Sequence, residues 1–479
     1  MNIRLFILSV CIILSFQSFG QKHTLNYGAE AGGAIPADKL PFWLHSNTYG
    51  KIAPDAYLWG NIKLFSDFRK ADTRKFDYAA GAEATGALGK DDHRLFINQL
   101  YGRIRWQNLV LNLGILNPPT IYDGLSSTNG NMLYSTNSRS MPGVDLSTWD
   151  YIKLPWIGRW VSFRAKYAEY TMIDDRYAGN RTRLHNKMVG IKLTFIPQIS
   201  LEGGMEHFAQ WGGEIPGYGK LPHSFKDYAR VVFVKAGGED SPENDLDNKL
   251  GNHIGMHFAR LRYNGSKWGA ELYYNHMFED GSGQHYQNKP DGLYGFYLTR
   301  KTSPKWFKSF LYEFYYTKSQ SGPNHNDPET GEIIGGNDNY FNNSMYQSGW
   351  TFYGNVIGAP FFTPWGKTAE GITPGVFNSR FVAHHIGVCG ELPWDIQYKL
   401  MMSYSENYGM HHLPFTNEQG ERISKPQFSF GLELVAPDLH LPFGTALNIG
   451  FDKGDLLENN FGVMLKIFKT GILCKSKKQ

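Results

Sequence analysis

The chain has 479 residues, a formal net charge of +4, 15% aromatic residues and 53 glycines, with a mean hydropathy of −0.40. Beyond residue 20 no continuous apolar run approaches the roughly 20 residues a spanning helix needs, and no basic stripe suits a nucleic-acid partner. Only Cys389 and Cys474 follow that point, too few for a disulfide framework, so both are expected as free thiols.

The first stretch, "MNIRLFILSVCIILSFQSFGQ", has Arg4 before an apolar run from Leu5 to Phe16 and the small Gly20 before Gln21. It reads as a cleaved secretory signal over 1–20, leaving 21–479 as one domain. A membrane anchor or a first helix is the other reading. Val10, before Cys11, is too large for a lipoprotein cleavage site.

From there an alternation of period two recurs along the chain, the mark of strands with unlike faces. It runs through 56–68, through 108–116 with Leu109, Leu111, Leu113 and Ile115 on one face, and through 161–170 with Phe163, Ala165 and Tyr167 against Arg164 and Lys166. In "KMVGIKLTFIPQISLEGGMEHF", 187–208, Val189, Ile191, Leu193 and Phe195 share a face; after the turn at Pro197–Gln198, Ile199, Leu201, Gly203 and Met205 do. Segments 266–277, 306–318, 394–405, 426–436 and 459–468 repeat the pattern. In all there are about eighteen strands of roughly 9–12 residues, the length a tilted strand needs to cross a bilayer.

Tight connections at 196–199, 264–267, 300–305 and 391–395 alternate with long polar ones at 209–253, 278–291, 319–346 and 407–425. Outer-membrane barrels have this rhythm, with short periplasmic turns and longer outside loops. It breaks at 117–160 and at 319–346 with 358–379, so either a plug or periplasmic element forms there or the count is off by two. A soluble β-sandwich would also alternate. Against it stand the mid-strand charges Arg164, Lys166, Lys192, Glu202, Glu206, Glu271 and Glu433, and aromatic residues near strand ends, where interfacial girdles sit. The expected fold is therefore an all-β, antiparallel outer-membrane barrel with its oily face on lipid, its charged face on a lumen, and some helical or irregular plug material. Its last strand, Asn460–Phe468, carries the signal for the barrel assembly machinery, although "KTGILCKSKKQ" follows it.

No nucleophile elbow, metalloprotease helix or phosphate loop is present, and neither a catalytic residue nor a cofactor is expected. His384–His385 and His411–His412 would put their rings on opposite faces of a strand, a poor chelating arrangement. The acidic loop 237–248 could hold calcium through Glu239, Asp240, Asp245 and Asp247, but it lacks the calcium-loop spacing and reads first as a solvated loop. Two other stretches, 207–225 and 335–355, mix aromatic rings with Asn, Asp and Gly. Rings stack on sugar faces while amides and carboxylates hydrogen-bond hydroxyls, so Trp211, Tyr218, Asp338, Tyr340 and Trp350 form the candidate carbohydrate-binding set. The competing reading makes the rings girdle residues and the rest turn formers.

Several stretches in order carry a family resemblance: "LPFWLHSNTYGKI" at 40–52, "GLSSTNGNMLYSTNSRSMPGV" at 124–144, "DDRYAGNRTRLHNKMVGIKL" at 174–193, "GMEHFAQWGG" at 204–213, "GNHIGMHF" at 251–258 and "GGNDNYFNNSMYQSGWTFYGNVIGAPF" at 335–361. The chain resembles the Wzi-type capsule assembly proteins, in their Bacteroidetes form. The resemblance implies an outer-membrane barrel of about eighteen strands with helical material at the periplasmic end, acting as a surface lectin that retains capsular polysaccharide, without a catalytic centre. The partners so implied are surface polysaccharide and outer-membrane lipid. A saccharide channel and a glycan or lipid hydrolase using Glu202 or Glu206 are the rival functions.

Overall fold

The computed structural model describes residues 24–69, 76–90, 93–238, 249–302, 306–322, 325–326, 333–334, 338–437 and 441–474. The expected signal segment, and the acidic loop from Glu239 to Asn248, lie outside them.

Eighteen antiparallel strands close into a barrel. In chain order they are β1 Leu25–Pro36, β2 Ala56–Phe65, β3 Phe76–Gly89, β4 His93–Trp106, β5 Leu109–Ile115, β6 Gly143–Thr148, β7 Val161–Thr171, β8 Arg183–Ile196 and β9 Ile199–Trp211. The second half comprises β10 Asn252–Asn264, β11 Trp268–Phe278, β12 Gly292–Arg300, β13 Ser309–Tyr316, β14 Phe381–Glu391, β15 Gln397–Asn407, β16 Lys425–Ala436, β17 Gly444–Gly454 and β18 Asn460–Cys474. Each strand pairs with its sequence neighbour, and β1 closes the ring on β18, from Leu25 opposite Cys474 to Pro36 opposite Gly462. The last strand thus runs past Phe468: Thr470 and Ile472 pair with Gly28 and Asn26. Residues 469–474 of the tail that follows Phe468 are part of the barrel's seam. Closure leaves no strand edge unpaired, which a bilayer requires because it offers no water to exposed backbone.

The longest connections, 37–55, 116–142, 212–251, 279–291, 317–380 and 408–424, leave one end of the barrel, and the start of β1 and the end of β18 lie at the other. The faces follow the alternation. Leu261, Leu272, Ile191 and Leu465 are exposed on the outside, while Arg164 and Glu202 meet inside at 2.6 Å, as do Arg262 and Glu271. Trp106, Trp156, Trp160, Trp306 and Trp394 are exposed around the short-turn end. Near the other end a row of rings crosses β11–β14, with Tyr274–Tyr294 centroids at 4.8 Å, Tyr294–Phe314 at 5.9 Å and Phe314–His384 at 5.0 Å. An apolar band between two aromatic girdles is what a barrel in a bilayer presents. No helix among the described residues is long and apolar enough to cross a membrane; the strands do the crossing. Cys389 is buried and Cys474 exposed, both as free thiols.

Candidate functional site

Among the described residues, parts of both segments that break the strand rhythm, 116–142 and 338–362, fold into the lumen. Residues 116–142, rich in Ser, Thr, Asn and Gly behind Pro118 and Pro119, contain only one helical turn, Tyr122–Gly124. Of the plug and the periplasmic element expected there, the plug forms, and it is irregular, since consecutive prolines and short polar side chains favour turns over helix. Irregular backbone inside a barrel needs partners for its polar groups, and the inner wall provides them. Glu313 of β13 accepts from Ser126 Oγ at 2.5 Å, Ser127 N at 2.9 Å and Tyr273 Oη at 2.6 Å. Glu271 accepts from Tyr122 Oη at 2.6 Å and Glu206 from Asn131 Nδ2 at 2.6 Å, while His385 Nε2 donates to Leu125 O at 2.7 Å. Gly387 of β14 makes room for this: a Cβ there would sit 2.8 Å from Leu125 Cβ.

The long loop between β13 and β14 completes the plug. Trp350 is 0% exposed and its Nε1 donates to Leu133 O at 2.7 Å. Ser135 N reaches Ile357 O at 2.8 Å, Ala359 N reaches Met132 O at 3.0 Å, and the Phe341 and Phe362 rings meet tilted, with centroids 4.0 Å apart. From the β1–β2 loop, the short helix α1 (Phe42–His45) adds Phe42 and Trp43 to the same core, Phe42 N donating to Asp452 of β17 at 2.9 Å.

Above this plug, the long-loop end carries a groove of about 800 Å³. Its walls are the β7–β8 loop with Asp175, Asn180 and Arg181, a hairpin with Glu214 and Tyr218, and Glu370 of the long loop. The hairpin turns through Gly217 at φ +79°, a left-handed backbone that favours glycine. Paired backbone bonds between Gly179 and Glu214, at 3.0 and 2.9 Å, join the two walls. The floor is tied to the plug: Arg176 pairs with Asp174 at 2.9 Å and donates to Thr351 O at 3.3 Å, and Tyr177 N donates to Ser348 Oγ at 2.9 Å. An exposed ring beside carboxylates, an amide and a guanidinium can stack on a sugar face and hydrogen-bond its hydroxyls.

The five residues singled out by sequence are dispersed. Tyr218 lines the groove and is 50% exposed. Trp211 is 2% exposed and donates its Nε1 to Glu169 at 2.7 Å. Tyr340 is 0% exposed, its hydroxyl held by Asp291 at 2.8 Å and Asn288 at 2.7 Å. Trp350 is in the plug. Asp338 accepts from Ser321 at 2.7 Å. The faces of the three buried rings are covered by protein, because strand register and loop packing, and not ring chemistry, decide where they point. Of the groove's other polar groups, Glu214 lies in the 207–225 stretch singled out by sequence; Asp175, Asn180, Arg181 and Glu370 lie outside both stretches, although "DDRYAGNRTR" at 174–183 is a loop of such groups between two strands.

Beside the groove, the loops carry a set of acidic side chains. Burial pushes Asp291 and Asp338 up to about 6, and it raises Glu279. For Asp338 the neighbouring Asp280 and Asp291 add to the rise. Of the rival catalytic carboxylates, Glu202 is held by Arg164 at 2.6 Å and Arg262 at 3.3 Å, and Glu206 by Asn131 and Asn186. His384 faces outward against Phe314 and His385 inward against Ser403, the opposed arrangement expected for neighbours in a strand.

Comparison with the curated proteins gives no significant match. The fold is similar to Wzi, an outer membrane protein involved in group 1 capsule assembly in Escherichia coli and described as a carbohydrate-binding β-barrel. That similarity has a TM-score of 0.55 and 12% identity over 96% of this chain and 88% of that one. Two Pseudomonas aeruginosa proteins also match: OpdQ with a TM-score of 0.49 and 8% identity over 95% and 100% of the two chains, and OprD with 0.46 and 9% over 96% and 98%. At such identities the likeness is one of fold. The sequence itself matches the family model for capsule assembly protein Wzi over residues 43–376, a span that takes in the plug, the groove walls and the girdled strands between them. The chain belongs to that family of capsule assembly proteins.

Proposed function

We propose that this barrel sits in the outer membrane of a Gram-negative cell and retains surface polysaccharide, capsular in kind, by non-covalent binding at its outer end. The observation that carries the reading is the pairing of a lumen crossed by two interlocked loops with a groove of about 800 Å³ on the side those loops leave. A channel needs a continuous watery path; this arrangement favours holding a chain over passing it. In this reading Tyr218 stacks on a sugar ring, and Asp175, Asn180, Glu214 and Glu370 accept or donate to hydroxyls. Arg181 suits an acidic sugar. Trp211, Tyr340, Trp350 and Asp338 act one layer back, fixing the loops that carry the groove. Export by a signal at 1–20 and insertion through the barrel assembly machinery by Asn460–Phe468 belong to the same proposal.

The test compares cell-attached with shed polysaccharide in strains with and without the gene. Deletion is expected to move polysaccharide from cells to medium at unchanged total amount. Unchanged attachment removes the retention reading and brings forward the saccharide channel, for which steady conductance in planar bilayers is the signature.

A further inference from the structure

The outward wall of β7–β10 changes character near the long-loop end. Along β8 the outward positions are Leu193, Ile191 and Val189, then Lys187, His185 and Arg183. Along β9 they are Leu201, Gly203 and Met205, then His207, Ala209 and Trp211. The register pairs Val189 with Met205, Lys187 with His207, His185 with Ala209 and Arg183 with Trp211. Polar groups on a face otherwise suited to hydrocarbon need cover.

A helix in the 212–251 loop gives it. Helix α2 (Phe225–Val232) begins at Ser224, whose hydroxyl accepts from Asp227 N while Asp227 accepts from Ser224 N, a reciprocal cap. It lies against the outside of the barrel. Its Tyr228 ring is 5.2 Å from Trp211 and its hydroxyl 2.6 Å from that of Tyr167. Val231 is fully buried in a small core with Ala209, Trp211 and Leu250, and Lys187 Nζ donates to the Val232 carbonyl. Beneath this cover His185, His207 and His253 are buried although they point away from the lumen. His253 bonds to His207 at 3.0 Å, and His185 to Glu169 at 3.2 Å.

The side of α2 turned away from the wall carries Phe225 at 84% exposure and Phe233, just past its end, at 70%. Tyr167, Val189 and Ile191, on the wall strands that α2 covers, are exposed as well, so the two rings continue the apolar band of the barrel. Lys226 and Lys235 are exposed on the same segment. Aromatic rings flanked by lysines at the edge of an apolar band suit the boundary between acyl chains and headgroups.

We propose that α2 is an interfacial helix whose partner is the outer leaflet of the membrane, with Phe225 and Phe233 seated among the lipids. It holds residues 212–238, and with them the Tyr218 wall of the groove, at a fixed height above the bilayer. The inference rests on the outer-membrane reading given above.

The experiment uses the full chain in phosphatidylcholine–phosphatidylglycerol vesicles, its natural cysteines replaced by serine. A bimane label is placed singly at Phe225→Cys, Phe233→Cys, Ile191→Cys and Tyr218→Cys. Quenching by lipids carrying a shallow or a deep nitroxide is compared with quenching by aqueous iodide. The labels at 225 and 233 are expected to lose fluorescence chiefly to the shallow nitroxide, that at 191 to the deep one and that at 218 to iodide. Iodide quenching at 225 and 233 overturns the inference, since the helix then stands in water. Protection from all three quenchers overturns it too, since protein, such as a second copy, then covers the rings. If the label at 191 is also untouched by lipid nitroxides, the membrane reading itself has failed. Both phenylalanines are exposed, so these changes leave the packing side chains Tyr228 and Val231 intact.

Discussion

On the β9–β14 side of the lumen, Glu313 and Glu271 reach the plug; on the β1–β3 and β15–β18 side, Glu30, Glu83 and Glu433 reach lysines. Glu313 and Glu271 accept from Ser126, Ser127 and Tyr122 of the plug. Lys51 instead sits 3.4 Å from both Glu30 and Glu83, and Glu433 lies 2.9 Å from Lys399 and 3.9 Å from Lys466. Space follows the difference. The first side is packed with Leu125, Met132, Trp350 and Phe361, while the second borders cavities of about 530 and 250 Å³. A carboxylate satisfied by loop donors fastens the loop to the wall. Glu433, paired with Lys399 and Lys466 of its own wall, leaves the space beside it free, and such a pairing is worth little where water enters.

The contrast can be broken most forcefully at the plug. Trp350→Ala empties the centre of the packed side and is expected to cost about 3–5 kcal/mol, read as a lower urea midpoint for unfolding from vesicles. An unchanged midpoint would mean the loops contribute nothing to the barrel. Glu313→Gln keeps the shape but leaves Ser126, Ser127, Tyr273 and Tyr315 competing for a weaker acceptor; the expected loss is about 2–3 kcal/mol. Steady conductance should also appear in planar bilayers if the plug then loosens.

A graded effect follows from the loop carboxyls. Asp291 and Asp338 titrate near 6 in the folded protein against an ordinary 3.8. Between about 4 and 6 the folded loops therefore bind more protons than unfolded ones, so their stability is greatest at low pH, falls as pH rises through 6 and then levels off. Amide exchange in 279–291 and 317–322, corrected for its intrinsic pH dependence, should be slower at pH 5 than at pH 7.5. The reverse order contradicts the burial assigned to these groups. The smallest change is expected on the open side, where Glu433→Gln should shift the urea midpoint by no more than about 1 kcal/mol.

The wall was far more legible in the sequence than what fills it. Val189, Ile191 and Leu201 report their face by spacing alone, and the same spacing extended through Met205 puts Trp211 outside the barrel. What covers Trp211 is set by Tyr228 and Val231, on one face of a helix only two turns long inside a long loop, too short to stand out in the sequence. Trp350 meets Leu133, more than 200 positions earlier, through contacts between two irregular segments that leave no repeat to read. The groove suffers the same way, since Asp175, Glu214 and Glu370 come together only once three loops have been packed. Tyr218 was identifiable because it lies between glycines in a turn, where a ring has nowhere to be buried.

The central claim, that the outer groove holds polysaccharide, is tested most directly by binding of the purified full chain to the surface polysaccharide of its own cell. Wild type is compared with Tyr218→Ala combined with Asp175→Asn. The account predicts a loss of at least tenfold in affinity, the roughly 1.4 kcal/mol that one stacked ring and one charged hydrogen bond supply, with the unfolding midpoint unchanged. Equal affinity in the two proteins would contradict it and move the binding surface elsewhere on the barrel.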